Sequence, residues 1–231
     1  MTELASAYEK QSGVKLNLAF GSSGNFYAQI QNGAPFDIFF SADSNYPHKL
    51  NEAGLVAPNS TYDYAIGRLV LWSRPDTKLD LSKSGLNILL DPGVQKIAIA
   101  NPDHAPYGRA AIAALRSSGI YEKVKDKLVF GENISQASQF VQSGSAQVGI
   151  LSMSLALSPQ LRSGKYWEIP RHQYFPLIQS AVVLKRTEQK DLAASFMQFV
   201  AGPSGTKILQ EFGFEKPASN IDRSLQRSKP F

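Results

Sequence analysis

Apolar residues alternate along the chain between helical spacing and strand-like spacing. Near the amino end, Leu4, Ala5 and Tyr8 lie at helical intervals, and Gly13 is placed to cap the end of such a helix. In the next segment, Val14 to Phe20, apolar side chains occupy every second position. The pattern therefore predicts a helix that is followed directly by a β-strand over that segment.

The middle of the chain repeats a strand, a turn of small residues and a helix. Repeated βα units are typical of a doubly wound α/β fold with parallel strands. Strands are predicted over residues 37–41, 64–72, 96–100, 128–130, 148–151 and 174–185. Helices are predicted up to residue 30 and over residues 45–53, 109–117 and 135–143, and a helical hairpin over residues 190–212.

The apolar strands over residues 64–72 and 174–185 are placed to run side by side as two connectors between lobes. On this interpretation, residues 67–181 form an inserted second lobe, and residues 1–66 plus 182–231 form a discontinuous first lobe. A chain of 231 residues is long enough for two moderate α/β domains. We therefore expect a two-lobed α/β fold.

The composition narrows the classes of function. The formal net charge is +5, but basic and acidic residues are interspersed, as between Lys123 and Lys127, and form no stripe that would follow nucleic acid or a membrane surface. The absence of cysteine excludes disulfides, thiolate catalysis and cysteine-based metal sites. No apolar run reaches about 18 residues, the length of a spanning helix, and no signal-peptide core precedes the first helix. These features predict a folded protein without a nucleic-acid partner.

The most informative motif is the turn Phe20-Gly21-Ser22-Ser23-Gly24, which joins the predicted strand to a helix. Small residues let the chain turn closely, and the first N–H groups of the helix stay unpaired at its positive end. The serine hydroxyls add neutral donors. The turn can therefore hold an anion, and the alternative interpretation is simple helix capping by Ser22 or Ser23.

Two further turns of the same kind lie at strand ends. The segment Asn101 to Gly108 contains two prolines that stiffen the loop and a glycine that permits close backbone approach. The segment Glu132 to Ser135 opens another helix. Open α/β sheets bind ligands at the carboxyl ends of their strands, so these three helix starts together predict an anion-binding site.

Enzymatic alternatives have weaker support in the sequence. His48, His104 and His172 lack the spacing of a metal site, and neither a Gly-x-Ser-x-Gly elbow nor a Walker loop is present. A serine hydrolase that uses Ser23, His104 and Asp103 is conceivable, but adjacent aspartate and histidine side chains point in different directions. We therefore predict no catalytic residue and no direct metal ligand.

Five stretches of the chain form an ordered set of motifs. They are Phe20 to Gly24, Gly33 to Asp43, Asn101 to Ala111, Glu132 to Ile134, and Phe199 to Gly205 with Phe212 to Phe214. In these motifs the chain resembles the periplasmic molybdate-binding proteins of bacterial ABC importers, and the resemblance covers nearly its whole length. It implies a type II periplasmic-binding-protein fold, in which two lobes, each a mixed sheet flanked by helices, close on a tetrahedral oxyanion.

The same resemblance implies which residues hold the oxyanion. Ser23 would contribute its hydroxyl and its backbone N–H, Tyr107 a donor from the second loop, and Ile134 its backbone N–H, while Ser22 is a neighbour of the site. The implied ligand is molybdate or tungstate. Molybdenum would thus be bound only as molybdate, and no cofactor is implied.

The chain departs from the resembled family at its start. Members begin with a strand and a small polar turn that supply further oxyanion ligands, and neither precedes the helix that starts at Thr2. We therefore expect this sequence to be a form that lacks the signal peptide and the first strand. A periplasmic location, a membrane permease as partner and a monomeric chain are implied by the resemblance alone.

Two other binding functions remain open at this point. A donor-rich pocket also suits other dianions such as sulfate, and only the size of the pocket distinguishes sulfate from the larger molybdate. The effector-binding domain of a transcription regulator shares the two-lobed fold, but its DNA-binding helix-turn-helix should precede the first lobe, and this sequence contains none there.

Overall fold

The computed structural model describes residues 1–217, which form two β-sheets with helices on both faces of each. The strands are β1 (Ile38–Ser41), β2 (Tyr62–Gly67), β3 (Leu69–Ser73), β4 (Ile97–Ala100), β5 (Leu128–Gly131), β6 (Val148–Ser152), β7 (Lys165–Glu168) and β8 (Leu177–Val183). The helices are α1 (Thr2–Ser12), α2 (Ser23–Gln31), α3 (Asn45–Glu52), α4 (Leu81–Ser84), α5 (Pro106–Ser117), α6 (Tyr121–Val124), α7 (Ile134–Gln142), α8 (Met153–Ala156), α9 (Lys190–Ala201) and α10 (Pro203–Glu211). No helix within residues 1–217 has the length and apolar character needed to cross a membrane.

The strands β1, β8 and β2 form a three-stranded antiparallel sheet with β8 in the centre. On one face, Tyr8 of α1 and Phe196 of α9 pack in a shared apolar core with the sheet. On the other face, Ile30 of α2 and Leu50 of α3 do the same. Because β8 is covered on both faces, apolar residues occupy most of its positions, and they are interrupted by the buried Gln179 and Ser180.

The strands β5, β4, β6, β3 and β7 form, in that order, a five-stranded mixed sheet. β4 pairs in parallel with β5 and β6, whereas β3 pairs antiparallel with β6 and β7. Ile99 packs with Leu115 of α5 on one face, and Ala98 packs with Val141 of α7 on the other. Because parallel strands end at the same edge of a sheet, α5, α7 and α8 all begin at that edge.

We use the name first lobe for the three-stranded sheet with α1–α3, α9 and α10, and second lobe for the five-stranded sheet with α4–α8. The chain crosses between the sheets at Arg68, so the segment predicted as one strand over residues 64–72 is two strands in different sheets. Hydrophobicity does not mark where a chain leaves one sheet and enters another. Of the predicted lobe boundaries, residue 67 is the end of β2 and residue 181 lies within β8. Residues 218–231 of the predicted first lobe lie outside the described part.

The segment Val14 to Phe20 is not a strand, and the prediction for it is wrong. Within residues 1–217, no strand pairs with this segment or with the free edge of β1. The N–H groups of Val14 and Leu16 donate instead to the side chains of Ser12 and Glu9, at 3.2 and 2.7 Å. An alternating pattern gives a segment one apolar and one polar face, but a β-strand also needs backbone hydrogen bonds to a neighbouring strand. A cavity of about 540 Å³ lies between this segment and β1.

Candidate functional site

The turn before α2 forms the first part of the candidate site. Ser22 is the N-cap of the helix: its backbone has φ −76° and ψ 147°, and its Oγ accepts the Asn25 N–H at 3.2 Å. The cap satisfies one of the N–H groups that every helix start leaves unpaired. Ser22 and Ser23 are both buried, with 3% and 6% of their surface exposed. The two serines therefore lie at a desolvated helix start.

Ser23 keeps two donors free. Its Oγ accepts the Ala42 N–H at 3.0 Å, so the hydroxyl proton points elsewhere. Neither this proton nor the backbone N–H of Ser23 has an acceptor within residues 1–217. Ala42 directly follows β1. The end of that strand thus fixes the serine oxygen and leaves its proton available.

Tyr107 is the second residue of α5 and follows Pro106, which stands at a position where the missing N–H costs nothing. The phenol oxygen accepts a hydrogen bond from Gln179 Nε2 at 2.8 Å, and no described residue accepts the phenol proton. Burial raises the pKa of Tyr107 well above its usual value, and the hydrogen bond from Gln179 lowers it by less. The phenol is therefore neutral at physiological pH and is available as a donor.

Ile134 is the first residue of α7, behind the N-cap Asn133. The Asn133 Oδ1 accepts the N–H groups of Ser135 and Gln136, each at 3.0 Å. The Ile134 N–H has no acceptor in the described part of the chain. The helix α7 therefore presents a free N–H at its positive end.

Hydrogen bonds across the lobes bring the predicted loops together. The Gly24 N–H donates to the His104 carbonyl at 2.9 Å, and His104 Nδ1 lies 2.9 Å from the Ser22 Oγ. Asn25 Nδ2 donates to Glu132 Oε1 at 2.9 Å, in the loop before α7. The serine turn of the first lobe thus contacts both loops of the second lobe that the sequence singled out.

Two glycines leave room for close backbone contacts, one between the lobes and one within the second lobe. A Cβ on Gly24 would lie 2.7 Å from the carbonyl oxygen of His104, and a Cβ on Gly108 would lie 2.1 Å from that of Ala100. Both distances are far below a normal van der Waals contact. Gly24 therefore allows the lobes to meet, and Gly108 allows α5 to start directly against the end of β4.

An ion pair across the lobes was not predicted from the sequence. Arg109 Nη2 lies 2.6 Å from Asp43 Oδ2, and the Asp43 side chain is only 9% exposed. The other carboxylate oxygen accepts the Tyr46 N–H at the start of α3. Asp43 thus balances the guanidinium charge of Arg109, and the donors at Ser23 and Ile134 are a hydroxyl and backbone N–H groups, which are neutral.

The arrangement of a serine hydrolase is not formed. His104 Nδ1 contacts Ser22 rather than Ser23, and no hydrogen bond joins the Asp103 carboxylate to His104 among residues 1–217. In the same part of the chain, no group of three or more histidine, cysteine, aspartate or glutamate side chains could hold a metal ion. The groups that the structure brings together at the site are hydrogen-bond donors.

Gln179 was not identified from the sequence as part of the site. It lies in β8, is 4% exposed, and connects Tyr64 of the first lobe to Tyr107 of the second lobe. A glutamine inside a run of leucine, isoleucine, alanine and valine is the signal that could have identified it.

Comparisons with known proteins give consistent matches over almost the whole described chain. A family model described as bacterial extracellular solute-binding protein matches residues 1–215. The molybdate-binding protein ModA of Azotobacter vinelandii is 38% identical over 215 residues, which are 93% of this chain and 84% of the relative. The protein of the same name from Rhodobacter capsulatus is 37% identical over 212 residues, 92% of this chain and 82% of the relative.

A solved structure supports the same comparison. The periplasmic molybdate-binding protein of Azotobacter vinelandii is similar to this chain with a TM-score of 0.87 and 36% identity, over 94% of each chain. The similarity confirms the predicted α/β fold class.

Proposed function

This chain belongs to the family of bacterial extracellular solute-binding proteins, and on that basis we propose that it binds molybdate, and tungstate in the same way, between its two lobes. Two relatives, from Azotobacter vinelandii and Rhodobacter capsulatus, are named molybdate-binding proteins. Membership of a solute-binding family favours the role of a receptor over that of the effector domain of a transcription regulator.

One structural observation carries the proposal beyond the family: the candidate groups are donors that lack acceptors among the described residues. The Ser23 hydroxyl and N–H, the Tyr107 phenol and the Ile134 N–H have no acceptor in the part of the chain that the structure describes. An unprotonated oxyanion offers only acceptors, so it complements such a set. The positive ends of α2, α5 and α7 add favourable interactions with its negative charge.

A set of donors also discriminates between oxyanions. Hydrogen phosphate carries a proton, which would need an acceptor in the site and would otherwise be buried without a partner. Molybdate, tungstate and sulfate carry no proton near neutral pH. Sulfate is therefore the second candidate ligand, and the names of the relatives favour the larger molybdate.

The positions of the donors support binding by closure of the lobes. Ser23 belongs to the first lobe, whereas Tyr107 and Ile134 belong to the second lobe. A ligand that contacts all three stabilises the closed arrangement by interactions that the open one lacks. We propose that a membrane permease recognises this closed, monomeric form in the periplasm and that the chain catalyses no reaction.

Titration calorimetry with molybdate, tungstate, sulfate and phosphate tests the proposed function. We expect saturable binding of one molybdate or tungstate per chain, weaker binding of sulfate and no detectable binding of phosphate at pH 8. The absence of any saturable heat with molybdate, or equal affinities for molybdate and phosphate, would refute it.

A further inference from the structure

Gln179 is a buried polar residue that links two phenols across the lobes. Its side-chain Oε1 accepts the hydroxyl proton of Tyr64 at 2.7 Å, and its Nε2 donates to the hydroxyl oxygen of Tyr107 at 2.8 Å. Tyr64 lies in β2 and Gln179 in β8, both in the three-stranded sheet, whereas Tyr107 lies in α5. All three side chains are less than 9% exposed. The three groups therefore form a desolvated hydrogen-bond chain.

The donor and acceptor in each of these two hydrogen bonds follow from the protonation of the two phenols. Burial raises the pKa of both phenols above their usual value, so Tyr64 and Tyr107 keep their protons. Tyr64 uses its proton on the amide oxygen, which turns the amide nitrogen toward Tyr107. The oxygen of Tyr107 is then occupied by a donor, and its own proton has no acceptor among residues 1–217.

The surrounding backbone leaves room for this arrangement at Gly67, the last residue of β2. A Cβ at that position would lie 2.3 Å from the Tyr107 hydroxyl oxygen and 2.7 Å from Gln179 Nε2. Any side chain would therefore displace the phenol or the amide. The two hydrogen bonds therefore lie in the packed interface between the first lobe and α5.

We propose that Gln179 is a positioning residue that makes Tyr107 a donor only, and that it thereby causes the site to reject oxyanions that carry a proton. The inference rests on the proposed function, because Tyr107 must contact the oxyanion. A free tyrosine hydroxyl can either donate or accept, and could therefore accept the proton of hydrogen phosphate. With its oxygen occupied by Gln179, the hydroxyl can only donate.

The test compares the affinities for molybdate and phosphate at pH 8 in the wild type and in Gln179→Leu. Leucine removes both hydrogen bonds at similar volume and frees the oxygen of Tyr107. We expect molybdate to bind about tenfold more weakly and phosphate binding to become measurable, so that the ratio of the two affinities falls by at least about tenfold. A variant that weakens molybdate binding without any gain in phosphate binding would overturn the inference.

Two further variants separate positioning from stability. Tyr64→Phe releases the amide, which can then turn its oxygen toward Tyr107, so the same ratio should fall even if the leucine variant does not fold. Ser180→Ala is the matched control, because Ser180 is fully buried in the same strand and donates to Asp63, outside the chain of hydrogen bonds. The ratio of molybdate affinity to phosphate affinity in Ser180→Ala should equal that of the wild type. An unchanged ratio in Tyr64→Phe, or an equal fall in Ser180→Ala, would contradict the inference.

A double-mutant cycle shows whether Gln179 acts through the phenol. In a Tyr107→Phe background, Gln179→Leu should cause no further change in the affinity ratio, because no hydroxyl remains to be oriented. Additive effects of the two changes would reject the positioning role while leaving molybdate binding intact. Failure of the wild type to bind molybdate would instead remove the proposed function, and this inference with it.

Discussion

The hydroxyl groups of Ser23 and Tyr107 are oriented in the same way by a neighbouring N–H group. Ser23 Oγ accepts the N–H of Ala42, and the hydroxyl oxygen of Tyr107 accepts an N–H of Gln179. In each case a neighbouring N–H occupies the oxygen and leaves the proton for a ligand. A hydroxyl that is already oriented loses little freedom when an oxyanion binds, which favours affinity.

Replacement of Ser23 by alanine should weaken molybdate binding by about 1 to 3 kcal/mol, or roughly five- to 150-fold in Kd, because a desolvated donor is lost. Titration calorimetry measures the change. Ser117→Ala, at the exposed end of α5, is the control and should bind as the wild type does. Unchanged affinity in Ser23→Ala would mean that this hydroxyl serves only to hold Ala42.

The three helix starts could be predicted from local sequence patterns, but the groups that orient their donors could not. The serine turn, Tyr107 and Ile134 stand at helix starts that small residues and prolines mark locally. Their partners are distant along the chain: Tyr107 and Gln179 are 72 positions apart. Such pairs form through tertiary packing, which local patterns of residue type do not encode.

At the scale of elements, the first turn of α2 packs directly against the loop before α5. The Gly24 N–H donates to the His104 carbonyl, and the space above Gly24 is filled by the Tyr46 hydroxyl and by His104 itself. The contact joins the two lobes through backbone. Even a methyl group has no room at this position when the lobes are in contact.

Gly24→Ala should therefore impair closure of the lobes without unfolding either one. We expect at least about tenfold weaker molybdate binding. The thermal midpoint should stay near that of the wild type, because the backbone clash is with His104 of the other lobe and alanine is compatible with a helix. Calorimetric titration and thermal unfolding measure the two quantities. Gln29→Ala, on the exposed face of the same helix, is the control. Wild-type affinity in Gly24→Ala would show that closure does not need this contact.

Elements with strong periodicity could be predicted, and those that depend on a neighbour could not. The helix α3 and the strand β4 lie close to their predicted ranges. The alternating segment Val14 to Phe20 forms no strand, because no described strand pairs with it. The strand β7 (Lys165–Glu168) was not predicted, because it is a half-exposed edge strand whose pairing with β3 creates it.

At the scale of the whole molecule, the contacts between the lobes include polar groups that can exchange their partners with water. The Asp43–Arg109 ion pair and the Asn25–Glu132 hydrogen bond are of this kind. Polar contacts allow the lobes to separate and meet again, so that a ligand can shift the equilibrium. The formal net charge of +5 attracts a dianion from a distance.

An oxyanion should bind where the starts of α2, α5 and α7 meet. Anomalous X-ray scattering from crystals of the protein grown with tungstate tests it most directly, because tungsten is located without any assumption about the site. We expect one strong tungsten peak between the lobes, with the oxygens of the tungstate within hydrogen-bond distance of the Ser23 and Tyr107 hydroxyls and the Ile134 N–H. A molecule with no tungsten between its lobes, or with tungsten only on surface lysines, would contradict it.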